Sequence, residues 1–158
     1  MALKPKRYRA GLTFVEILIA TVILLIAVIG TSAFRYNAAL GARKADLRTA
    51  ASRTALLLCE AWRGESDPNA FDPVATFGSE LVISSLGKGV AGPDGFTVHG
   101  AYEITNEGVE YYAVLSWKDV SAGLRALNVV VAWNQRGYSS DDGQSPDKSF
   151  ALTTYVTD

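Results

Sequence analysis

Residues 11–34 read GLTFVEILIATVILLIAVIGTSAF, and the reading of this stretch decides the rest of the chain. From Leu12 to Phe34 there are 23 residues, with Glu16 the only ionisable side chain among them. At ~1.5 Å rise per residue such a helix matches the ~30 Å hydrocarbon core of a bilayer, so the stretch is expected to span a membrane. A carboxylate inside a span costs about 2.5–3.5 kcal/mol on insertion scales, so Glu16 calls for a partner. The plainer alternative is an acid near a helix N-terminus, favoured by the helix dipole and close enough to the interface to reach water.

Immediately before the span, Met1 to Gly11 reads MALKPKRYRAG, with Lys4, Lys6, Arg7 and Arg9 and no acid. A secretory signal peptide places a small-residue cleavage site after a shorter apolar region. Here the small residue precedes the apolar region, and the chain runs on as helix. A basic leader, Gly11 at its end, an apolar segment and Glu16 five residues later resemble the class III signal of type IV prepilins and pseudopilins. The resemblance implies that a membrane-embedded aspartyl peptidase cuts after Gly11 and methylates the new amine of Leu12. It also implies that the apolar segment is kept as a polymerisation helix. Glu16 then meets the N-terminal ammonium of a neighbouring subunit, and a wrongly registered neighbour leaves a desolvated charge unpaired, at a cost of several kcal/mol. Two departures from the family pattern stand out. Leu12 occupies the position where Phe is commonest, and the span lacks the mid-helix proline of many major pilins, leaving Gly30 and Gly41 as the weak helix formers.

The charge is uneven along the chain. Residues 1–63 carry ten Lys/Arg against Glu16, Asp46 and Glu60, whereas residues 64–158 carry five against thirteen acids. A near-neutral total of −1 therefore hides a basic stalk and an acidic head. Phosphate is repelled by such a head, so nucleic acid is not an expected partner. Complementary surfaces on neighbouring subunits and an ordinary solvated acidic surface both fit. Positive-inside counting nearly ties, because Arg35, Arg43, Lys44 and Arg48 follow the span as Lys4, Lys6, Arg7 and Arg9 precede it. The resemblance decides it: N-terminus cytoplasmic, head outside the inner membrane.

Beyond Phe34 the helical signal continues through RYNAALGARKADLRTAASRTALLLCEAWR, residues 35–63, which contains no proline. Ala38, Ala42, Ala45, Ala51, Thr54, Ala55, Leu58, Ala61 and Trp62 approximate one apolar face, with Arg43, Lys44, Arg48 and Arg53 mostly opposite. Gly64 and Pro68 end the helix. One continuous helix from Leu12 to Arg63 would be ~78 Å long, a length that suits a fibre subunit better than a compact domain.

Residues 65–79, ESDPNAFDPVATFGS, form a polar connection broken by Pro68 and Pro73. Strand patterns follow. A short edge strand is expected at Leu81–Ser85. Phe96, Val98, Tyr102 and Ile104 alternate with Thr97, His99 and Glu103. After the turn Thr105–Gly108, Val109, Tyr111, Ala113, Leu115 and Trp117 make the next apolar face. Leu127, Val129, Val131 and Trp133 make a third, and Phe150, Leu152, Thr154 and Val156 close the chain after the hydrophilic loop 134–149. The expected fold is α+β, pilin-like: a long N-terminal helix packed on a small antiparallel meander. The expected divisions are a cleaved leader 1–11, a transmembrane half-helix 12–34, an amphipathic half-helix 35–64 and a sheet domain 65–158. The run from Val129 to Trp133, the polar loop and the closing strand look like the C-terminal part of minor pilins and minor pseudopilins.

Catalytic signals are thin. His99, the one histidine, is expected on the solvent face, and no nucleophile elbow, Walker A loop or zinc spacing is present. Cys59, the one cysteine, can form no intrachain disulfide and reads as a small buried hydrophobe. Asp141, Asp142 and Asp147 offer hard oxygen ligands suited to Ca²⁺, but their spacing matches no EF-hand, and a solvated loop accounts for them. No cofactor and no enzymatic activity are expected. The reading that follows is a minor pilin-like structural subunit of a type IV pilus or type II secretion pseudopilus. Its partners would be other pilin or pseudopilin subunits, the prepilin peptidase and the inner membrane. The alternative is an uncleaved, single-pass envelope binding module.

Overall fold

The computed structural model describes residues 13–87, 92–135 and 146–157. Helix α1 runs from Phe14 to Gly64, through Gly30 and Gly41 without a break. It is followed by a short helix α2, Pro73–Phe77, and five strands: β1 Val82–Gly87, β2 Thr97–Asn106, β3 Val109–Ser121, β4 Leu124–Trp133 and β5 Lys148–Thr157. All four pairings are antiparallel in the order β1-β2-β3-β4-β5, an α+β meander. The chain divides into two compact units, one ending at Arg43 and the other beginning at Lys44. The half-helix from Lys44 to Gly64 thus belongs to the same unit as the sheet.

Within that unit the helix buries Leu47, Ala51, Thr54, Ala55, Leu58, Cys59 and Trp62. They pack on the sheet face carrying Tyr102, Ile104, Tyr111, Ala113, Leu115, Leu127, Val129, Val131 and Trp133. Small residues at Ala51 and Ala55, both fully buried, let the helix backbone come close to the sheet. Ala45, by contrast, is exposed, and Leu47, two residues further on, is buried instead.

The polar connection contains more structure than its composition suggests. Asp72 caps α2, its carboxylate accepting a hydrogen bond from the Val74 amide at 3.0 Å, with Pro73 in the first turn. Phe71 and Phe77 enter the core on either side. Phe71 stacks on Trp62 at 6.1 Å between ring centroids, and the indole N–H of Trp62 donates to the Pro68 carbonyl at 2.7 Å.

The simple alternation expected along β2 fails at one place. The register with β3 slips between Val98 and Gly100, so His99 is the extra residue of a bulge. Val98 pairs with Ser116 and lies on the opposite face from Tyr102 and Ile104. His99 is consequently half-buried rather than on the solvent face, with its ring 5.3 Å from that of Trp62. A one-residue insertion reverses every side chain beyond it, which period-2 counting cannot foresee. β3 is also longer than expected: it continues through Lys118 to Ser121, leaving a tight turn at Ala122 and Gly123.

Candidate functional site

The first unit contains the segment whose chemistry most needs explaining. Thr13 precedes α1, and its hydroxyl lies 3.4 Å from the Glu16 amide, while its carbonyl accepts from the amides of Glu16 and Ile17 at 3.0 and 3.2 Å. Thr13-x-x-Glu16 is the spacing of a capping box, and it sets Glu16 in the first helical turn. The amide groups there carry partial positive charge that favours a carboxylate. Among the described residues Glu16 has no ion pair.

From Phe14 to Phe34 the polar side chains are Glu16, Thr21, Thr31 and Ser32. The Thr21 hydroxyl donates to the Ile17 carbonyl at 2.7 Å, that of Thr31 to Ala27 and Val28 at 3.0 Å each, and that of Ser32 to Val28 at 2.8 Å. The three hydroxyls are therefore satisfied by their own helix, as a hydrocarbon environment requires. Glu16 alone is not. Around it Phe14, Val15, Ile17, Leu18 and their successors to Phe34 lie exposed, without protein cover. The helix is long and apolar enough to cross a membrane once. Neither Gly30 nor Gly41 has any atom near its missing Cβ, so neither is required by a close approach.

The other residues singled out from sequence fall as follows. Gly11, Leu12 and the rest of the leader lie outside the described residues, as do Asp141 and Asp142. Asp147 is described and exposed: its carboxylate accepts from the Gln135 amide at 2.9 Å, and its amide donates to the Asn134 side chain at 3.2 Å. These bonds clamp the ends of β4 and β5 at the base of the loop. Among the described residues no group of three or more His, Cys, Asp or Glu converges as a metal site would.

Cys59 is buried on the helix face. Burial pushes its thiol up from its ordinary value, Glu60 adds to the rise and Arg63 opposes it. An upshifted thiol is a poor nucleophile, consistent with packing as its role. The sheet's far face holds an apolar groove of about 300 Å³, lined by Leu86, Ala101, Tyr112, Val114, Val130 and Ala132 among others. A polar hollow lies between the helix and the β2–β3 turn, bordered by Asp46, Thr49, Arg53, Asn106 and Glu107. Neither brings together an acid–base pair with a nucleophile.

Comparison with known proteins finds no family model, no curated protein and no solved structure that matches this chain.

Proposed function

We propose that this chain is a pilin-like structural subunit, of the minor pilin or minor pseudopilin kind. In this reading it is processed after Gly11, held in the inner membrane by residues 12–34 with its N-terminus cytoplasmic, and drawn into a type IV pilus or type II secretion pseudopilus. The observation that carries the reading is the contrast within α1. Every hydroxyl between Phe14 and Phe34 is satisfied internally, and the one carboxylate is left for a partner outside the described residues. The ammonium freed at Leu12 of an adjoining subunit has the charge and the position in the chain to be that partner. Two charges that compensate one another in a desolvated setting enforce register, because any other register strands one of them.

A second reading draws on the same geometry. Capped by Thr13, Glu16 sits where a helix dipole favours an acid without any partner. That would suit an uncleaved anchor bearing an envelope binding head. Mass spectrometry of the protein from cells with a working prepilin peptidase separates the two: an N-methylated Leu12 start supports the subunit, and a retained 1–11 segment supports the anchor. Glu16→Ala should then leave cleavage and membrane residence intact and weaken incorporation. Normal incorporation of that variant would rule out charge pairing.

A further inference from the structure

The two outermost strands of the sheet invert the usual distribution of charge. Natural sheets protect their edges with lysines, prolines and bulges, because an edge presents a row of unpaired N–H and C=O groups. Here the inner strands carry the charges: Glu103 on β2, Glu110, Lys118 and Asp119 on β3, and Arg125 on β4. Edge strand β1, VISSLG, has none, and edge strand β5, KSFALTTYVT, has none after Lys148. Neither contains proline. β5 pairs with β4 over ten residues without a register shift, while β1 shifts register once, between Ser85 and Gly87, and is regular from Val82 to Ser85.

The edges are also where apolar surface is left over. Among the described residues after Gly64, the exposed large hydrophobic side chains are Val82, Leu86, Val120 and Tyr155. Three of the four lie on the edges: Val82 (73% exposed) and Leu86 (46%) on β1, and Tyr155 (58%) on β5. On the helix-facing side, Phe150, Leu152 and Val156 of β5 are only partly buried, whereas Val129 and Val131 beside them on β4 are fully buried. The core thus ends at β5 as if one strand short.

We propose that edge β5 of one copy pairs with edge β1 of a second copy, extending the sheet across the subunit boundary. Four successive antiparallel pairings leave β1 and β5 running in the same direction, so a β5-to-β1 junction joins two sheets without inverting either. Such a contact is heterologous and leaves a free edge on each side, which is how open fibres grow. A β5-to-β5 contact would close at two copies. Lys148 is the one charged side chain on the two strands, so the junction brings no like charges together, and the outward row Val82, Ser84 and Leu86 can sit beside Ala151, Thr153 and Tyr155 of its neighbour. The inference rests on the fibre-subunit reading, and its test keeps the two apart.

The test uses full-length chains made in cells with the processing and assembly machinery. One tagged copy carries Val82→Cys or Ser84→Cys, and a differently tagged copy carries Ala151→Cys or Tyr155→Cys. Cys59 is buried, and the unsubstituted chain serves as control. On oxidation, at least one β1–β5 combination should give a mixed disulfide dimer, and Tyr155→Lys should abolish the dimer formed by Ser84→Cys with Ala151→Cys. Disulfides formed between β5 cysteines alone would replace this junction with a closed pair and overturn the proposal. So would the absence of every mixed dimer in cells where the protein starts at Leu12. A protein that keeps residues 1–11 and still forms the mixed dimer would retain the junction while removing the fibre reading.

Discussion

Nε2 of His99 lies 2.7 Å from the carbonyl oxygen of Phe71, twenty-eight residues earlier in the chain. A carbonyl only accepts, so the proton of this hydrogen bond resides on Nε2. The bond ties the bulge of β2 to the connection after α1, where Trp62 holds the Pro68 carbonyl from the other side. Replacing His99 by Phe keeps a ring against Trp62 and removes the donor. We expect that variant to lose about 1–2 kcal/mol, from a half-buried carbonyl left without its partner. All three tryptophans, Trp62, Trp117 and Trp133, lie in the unit beginning at Lys44, so fluorescence-monitored denaturation in detergent reads this unit directly. Unchanged stability would mean that water replaces the imidazole.

The turn between β2 and β3 contains Glu107 at φ 50°, followed by Gly108 at φ 76°. Both left-handed positions of a two-residue hairpin are thus occupied, and the first is one that Asn, Asp and Gly fill with less strain than Glu. Glu107→Asn should therefore raise stability by roughly 0.5–1 kcal/mol, seen as a higher melting temperature. A fall instead would show that the Glu107 carboxylate, beside Asp46 and Arg53 in the polar hollow, contributes more than the turn costs.

Gly100 is held by the ring of Tyr102. A Cβ at Gly100 would lie 2.6 Å from the Tyr102 hydroxyl oxygen and 2.9 Å from its Cζ. The ring is itself buried in the core, so it has little room to retreat. Gly100→Ala is expected to cost about 1–3 kcal/mol by overpacking. In a Tyr102→Leu background the same change should cost much less, a non-additivity that a double-mutant cycle measures.

Stability of the sheet unit should fall in alkali. Burial pushes the phenols of Tyr102 and Tyr111 above their ordinary value of 10.0, with Asp72 and Glu107 respectively adding to the rise, and burial likewise raises the Cys59 thiol above 9.0. The folded state therefore favours the protonated forms. Their contribution is complete below the unfolded values and is lost as pH rises through about 9 and 10 towards the folded ones, because the unfolded chain releases its protons first. Denaturation midpoints measured from pH 8 to 11 should decline over this window, and Tyr111→Phe should flatten the decline. A midpoint independent of pH there would contradict the burial of these groups.

Much of this architecture is legible in the residues alone. The apolar helix to Phe34, its continuation to Gly64, and the strands around Tyr111, Val129 and Leu152 follow from length, composition and periodicity, which are local properties of the chain. The singular Glu16 is equally visible. What only the tertiary structure decided arises where distant segments meet. The bulge at His99 depends on how β2 fits β3. The enclosure of Trp62 depends on Phe71 and Pro68 returning across the helix. The uncovered flanks of Val82 and Tyr155 are known only once strand order makes β1 and β5 the edges. Periodicity reports which face of an element is apolar, but not what lies against that face, because burial is a property of pairs of elements and not of either one.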